Sequence, residues 1–437
     1  MIRNSLLAGL ATVSILAGTA HAQGVEVAPL AAPDLFSTGG RDTGLPADLW
    51  RGASARTLGA VLPLIATKPL SPASAALARR VLATGANGPQ GAGQDRTMAG
   101  LRANALIAAG DLQAGSAILA RTAGVERDPA LSQAAAEAAL LSGDNTRACA
   151  VADALNVGRD EAYWLRLRAF CQALAGQAGA AQLTFELAQT QARDAVYGRL
   201  MGAKLAGAGD PGQASLRNGL DYALSRSLGL DLAAAKASPA IASALSTATP
   251  GAAFWPMDPG VSDVGAALAA LGAGDLARAQ AMRAAMVQDQ IPNTGPVDLA
   301  ILDAAIAAAT GAADGPTLDR LVERGGMGEA KARVRAQSAA LLLAALGSPL
   351  GPDSRGELAA FTAGESKAPA ARALALELAG EQKLLGESAM LALWTAADAG
   401  AAGPALGDRV RIVRALRAAG LEADARAFAL EGLLALR

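Results

Sequence analysis

The chain has 437 residues, with 38 basic and 39 acidic side chains, a formal net charge of −1 and 3% aromatic residues. That balance carries no clustered Lys and Arg footprint of the kind nucleic-acid binding needs. Its single histidine, His21, lies in the first 22 residues.

Those residues read as a Sec-type signal peptide: Arg3 in "MIRN", an apolar core "SLLAGLATVSILAG", then "AHA" ending at Ala22. The apolar run is short for a spanning helix, and no stop-transfer segment follows it. The alternative is an uncleaved anchor. With residues 1–22 removed, the 38 basic residues lose Arg3, leaving 37 against 39 acidic and a net charge of −2. The mature chain then has no imidazole, which excludes Ser-His-Asp and Cys-His catalysis and the usual His-containing metal sites. No cofactor, no bound metal, no nucleic acid and no integral membrane segment after cleavage are expected.

Residues 23–45 contain Pro and Gly without periodicity and are expected to form a flexible arm. Helical patterning starts at 46 and the chain is Ala-rich, so the predicted class is all-α. "PADLWRGASARTLGAVLPLIA" has Leu49, Trp50, Leu58, Leu62 and Ile65 as its apolar face. Ser71 and Pro72 mark the next helix start. The loop "GANGPQGAGQ" lacks the Gly-Lys-Ser/Thr ending of a phosphate-binding loop.

Four corners then recur at a fixed interval. Gly110, Gly143, Gly176 and Gly209 are each 33 residues apart, followed by Asp111, Asp144, Gln177 and Asp210. Twelve residues before each glycine stand Met98, Leu131, Trp164 and Tyr197, all large; five after stand Gly115, Ala148, Ala181 and Ala214, all small. A glycine takes the left-handed conformation that ends a helix, and an Asp caps the next one. Each unit is therefore helix, tight turn, helix, loop. Gly274 and Asp275 repeat the corner, and degraded copies are expected around Gly380 and Gly420. Between them, 236–262 is expected to be an irregular connector. It separates an N-terminal helical region (46–235) from a C-terminal one (263–437).

These corners, and "GQAGAAQLTFELA" with Ala181, Phe185 and Ala188, resemble the tetratricopeptide repeat. The period here is 33 where that family has 34, the helix-breaking Pro is missing, and Arg102 and Arg168 stand where it prefers Leu. The resemblance implies an α-solenoid whose first helices line a concave groove for peptides. Gln133, Arg166 and Arg199 share the column ten before their glycines, with Tyr163 and Phe170 close by, and are the expected groove residues. The alternative is a solvated face.

Cys149 and Cys171 fall on helices made antiparallel neighbours by the loop at 157–160, a register that permits a disulfide. The alternative is two buried free thiols. "GESAML" matches the Glu-Ser fragment of lytic transglycosylases at Glu387, although a helix-start acid explains it more simply. The expected function is thus an exported scaffold or adaptor in the periplasm of a Gram-negative bacterium, bound to a protein or peptide partner in an envelope complex. The alternatives are a carboxylate-dependent peptidoglycan-active enzyme and a structural accessory of a secretion or flagellar machine.

Overall fold

Ala-rich segments punctuated by Gly-Asp corners fold as paired helices. The computed structural model describes residues 34–436 apart from 208, 239–240, 243–244, 246–254, 256–257, 259–261 and 287–295. Most of the expected connector at 236–262 lies outside the described residues. Twenty α-helices and no strand occur among the described residues.

The first ten are α1 (Ala55–Thr67), α2 (Pro72–Ala83), α3 (Arg96–Ala108), α4 (Leu112–Arg121), α5 (Pro129–Ser142), α6 (Asn145–Ala154), α7 (Ala162–Leu174), α8 (Ala178–Gln191), α9 (Ala195–Ala206) and α10 (Gly219–Ser227). The remainder are α11 (Asp263–Gly272), α12 (Leu276–Ala285), α13 (Pro296–Thr310), α14 (Gly315–Gly326), α15 (Ala330–Ala345), α16 (Pro352–Ala359), α17 (Ala370–Glu381), α18 (Leu385–Ala399), α19 (Leu406–Ala419) and α20 (Glu422–Leu434).

The corners behave as their chemistry dictates. Gly110, Gly143, Gly176 and Gly274 all have positive φ, which costs a glycine little. Asp111, Asp144 and Asp275 each accept the backbone N–H three residues on, capping α4, α6 and α12. The small column is a crossing point. A Cβ on Gly115 would sit 2.6 Å from Ile107, and Ala148, Ala181 and Ala279 are fully buried. The large column fills the space between helices, with Met98, Leu131, Trp164 and Tyr197 all buried.

Two corners differ from expectation. Around Gly209 the helix has already ended at Gly207 (φ +63), and the next one, α10, does not start until Gly219. Pro211-Gly212 explains this: Gly212 is left-handed (φ +66) and cannot continue a right-handed helical turn. Gly380 is inside α17, pressed against the α19 backbone at Ala415, and the turn falls instead at Lys383 (φ +55). Gly420 does end α19, with φ +95.

The stretch expected as an arm is described from residue 34, and 34–45 is anchored. Phe36 is fully buried. Arg102 is buried as well, and it donates to the carbonyls of Phe36, Leu82 and Thr84 at 2.8–2.9 Å. Its guanidinium stacks 4.8 Å over the Phe36 ring.

The two ends of the described chain pack together. One core cluster unites Leu58, Leu62, Leu77 and Leu82 with Met390, Leu393, Leu416 and Phe428. C-terminal glutamates reach the starts of two N-terminal helices, where the first turn of a helix carries unsatisfied N–H groups and a partial positive charge. Glu387 on α18 accepts from the Ser54 N–H and the Thr57 hydroxyl at the start of α1, both at 2.8 Å. Ser71 makes no side-chain cap for α2. Instead Glu431 on α20 accepts from the Ala73 N–H at 2.8 Å. Salt bridges Lys68–Asp398 (3.2 Å) and Arg80–Asp424 reinforce the seam.

Candidate functional site

The first helices of successive pairs present one face to a common groove of about 300 Å³. Ala66 comes from α1, Asn104, Ile107 and Ala108 from α3, Gln133, Glu137 and Leu141 from α5, and Tyr163 from α7. The four-residue spacing of 133, 137 and 141 places these side chains one above the other on α5. Asn218, just before α10, and Ile241 close the groove from the other side.

Glu137 organises that end. It accepts from the Tyr163 hydroxyl at 2.9 Å and from the Gly219 N–H, the first of α10, at 2.6 Å. Burial pushes its pKa up; the two hydrogen bonds oppose this and the nearby Asp221 charge adds to it. Burial likewise raises the Tyr163 pKa, and the Glu137 charge raises it further. The tyrosine therefore stays a neutral donor.

Of the five expected groove residues, the structure brings two, Gln133 and Tyr163, into this groove. Arg166 donates to the Ala192 carbonyl at 2.7 Å, approaches Asp194 at 3.6 Å and lies over the Tyr197 ring. Arg199 donates to the Gln213 carbonyl at 2.7 Å. Phe170 is fully buried, in one cluster with Leu220 and Leu224 of α10. Helix α10 folds back onto α5 and α9 and covers Phe170. Arg217, at its entrance, bridges Asp194 (3.0 Å) and Asp221 (2.6 Å).

Asn104, Glu137 and Asn218 were not among the expected residues. A signal existed for the first two: both stand six positions before a corner glycine, Gly110 and Gly143. Phe170 shares that column before Gly176. Asn218 becomes a lining residue only because α10 turns back, which no local pattern announces.

Cys149 on α6 and Cys171 on α7 form a disulfide, with Cα atoms 5.5 Å apart. Glu387 has both carboxylate oxygens engaged with the start of α1, as described above. Among the described residues no group of three or more His, Cys, Asp or Glu side chains is placed to hold a metal, and no helix is long and apolar enough to cross a membrane. No family model, no curated protein and no solved structure matches this chain.

Proposed function

We propose that the chain is an exported, tetratricopeptide-like α-solenoid that works as a scaffold or adaptor, holding a segment of a partner protein in a periplasmic envelope complex. The observation that carries this reading is the groove itself. Consecutive first helices, α1, α3, α5 and α7, each contribute side chains to one continuous cleft, as peptide-holding helical arrays require. The Cys149–Cys171 disulfide supports an oxidising compartment, and the leader-like residues 1–22 support export. The absence of histidine after residue 21 and the structural engagement of Glu387 favour holding over hydrolysis.

Chemical cross-linking in intact cells, followed by mass spectrometry of the purified chain, tests this. A reproducible protein partner attached to peptides from α3 or α5 is expected. Recovery of the chain alone, at the expected expression level, would contradict the scaffold reading.

A further inference from the structure

The groove has an uncommon balance for a binding surface. Its lining is aliphatic and amide, with the Tyr163 phenol and a single carboxyl group, Glu137. Both oxygens of that acid already accept hydrogen bonds, from Tyr163 and from the first N–H of α10. The arginines expected in the groove are committed elsewhere: Arg166 to Ala192 and Asp194, Arg199 to Gln213. No cation lines the groove among the described residues.

The amides, in contrast, are available. The side chains of Asn104 and Gln133 make no hydrogen bond among the described residues, and Gln133 is exposed. Asn218 uses its Oδ1 to cap α10 by accepting from the Asp221 N–H, which leaves its amide N–H groups to give. A primary amide both donates and accepts. An extended peptide main chain offers N–H and C=O in alternation, with no charge, and so matches such amides. Around these amides, Ile107, Leu141 and Ile241 form aliphatic walls.

We infer that this groove, taken as the partner site proposed above, binds an uncharged, extended protein segment through its main chain, with Asn104 and Gln133 pairing to the backbone and an aliphatic side chain seated against Ile107, Leu141 and Ile241. An acidic side chain here would meet Glu137 with no cation to balance it. The groove ends at α10, so the segment it holds is short.

The test uses the full chain as bait for a phage-displayed random dodecapeptide library, with the Asn104→Leu/Gln133→Leu double variant as counter-selection. Circular dichroism first checks that the variant folds. Enriched peptides are expected to carry aliphatic and small residues without a fixed charge. One of them, synthesised, is expected to bind the double variant at least about tenfold more weakly than the original chain, as fits the loss of two hydrogen-bonding groups. Enriched peptides with a fixed Lys, Arg, Asp or Glu that compete for the same groove would overturn this inference while leaving the scaffold reading standing. Binding unaffected by the double variant would also overturn it. No enrichment at all would overturn both.

Discussion

Replacing Glu431 by Ala removes a carboxylate at the point where the two ends of the described chain meet. Glu431 is 6% exposed, and its partner Arg409 is 4% exposed. Its Oε1 accepts from Arg409 at 2.6 Å, while Oε2 accepts from the Ala73 N–H at 2.8 Å and from the Trp255 indole N–H at 3.1 Å. The substitution therefore strands a buried guanidinium whose other acceptor is the Phe428 carbonyl. It also leaves the first turn of α2 without a cap. Breaking a buried pair by deleting one partner costs about 3–5 kcal/mol, and a lost cap about 1 kcal/mol. These overlap in one network, so a loss of about 4 kcal/mol is expected rather than their sum. Urea unfolding followed by far-ultraviolet circular dichroism measures it. Replacing both partners by apolar residues, Arg409→Met with Glu431→Leu, is expected to recover much of the loss, because no buried charge is then unpaired. A Glu431→Ala protein within about 1 kcal/mol of the original would mean that the Glu431 network contributes little to stability, contrary to this expectation.

Four further outcomes follow from the same contacts. Arg102→Leu leaves three buried carbonyls without a donor, at about 1–3 kcal/mol each, and hydrogen exchange is expected to show residues 34–41 losing protection first. Cys149→Ser with Cys171→Ser opens a cross-link spanning 22 residues, for which chain entropy gives about 3 kcal/mol; reductant should lower the original protein to the variant's midpoint and leave the variant unmoved. Gly386→Val drives a side chain into Trp50, where even a Cβ would lie 2.7 Å away, and thermal unfolding should register about 2 kcal/mol or more of destabilisation. For Glu137 the sign is set by its raised pKa. The folded state keeps the proton to higher pH than the unfolded chain, so stability falls as pH rises from the ordinary 4.5 through the folded value. Glu137→Gln should flatten that slope, and an unchanged slope would count against the assignment.

Local features of this fold were legible in the sequence because they depend on neighbours in the chain. A glycine that must be left-handed, an aspartate three residues before the N–H it caps, and a small residue at a helix crossing all declare themselves within one helical turn. The corners at Gly110, Gly143 and Gly176 are of this kind, and the bridge between Cys149 and Cys171, 22 residues apart, needed only the turn between two adjacent helices. What was hidden depends on distant pairs. Arg102 looks like a departure from a leucine position until Phe36 and the α2 carbonyls are seen converging on it. Glu387 looks like a first-turn acid, or a fragment of a catalytic motif, until the start of α1 arrives 333 residues away in sequence. The same holds for the groove. Gln133 and Tyr163 could be placed on its face by periodicity, but Arg166 and Arg199 turn to the Ala192 and Gln213 carbonyls, and Phe170 is buried against α10, which folds back after Pro211-Gly212 ended the regular pattern.

The claim that matters most is that the inner groove holds a protein partner. A photo-activatable amino acid in place of Gln133, irradiated in intact cells, tests it at the surface concerned, with Leu183 on the exposed face of α8 as the control position. A discrete adduct of one size at 133 and none at 183 is expected. No adduct at 133, or the same adducts at both positions, would contradict it.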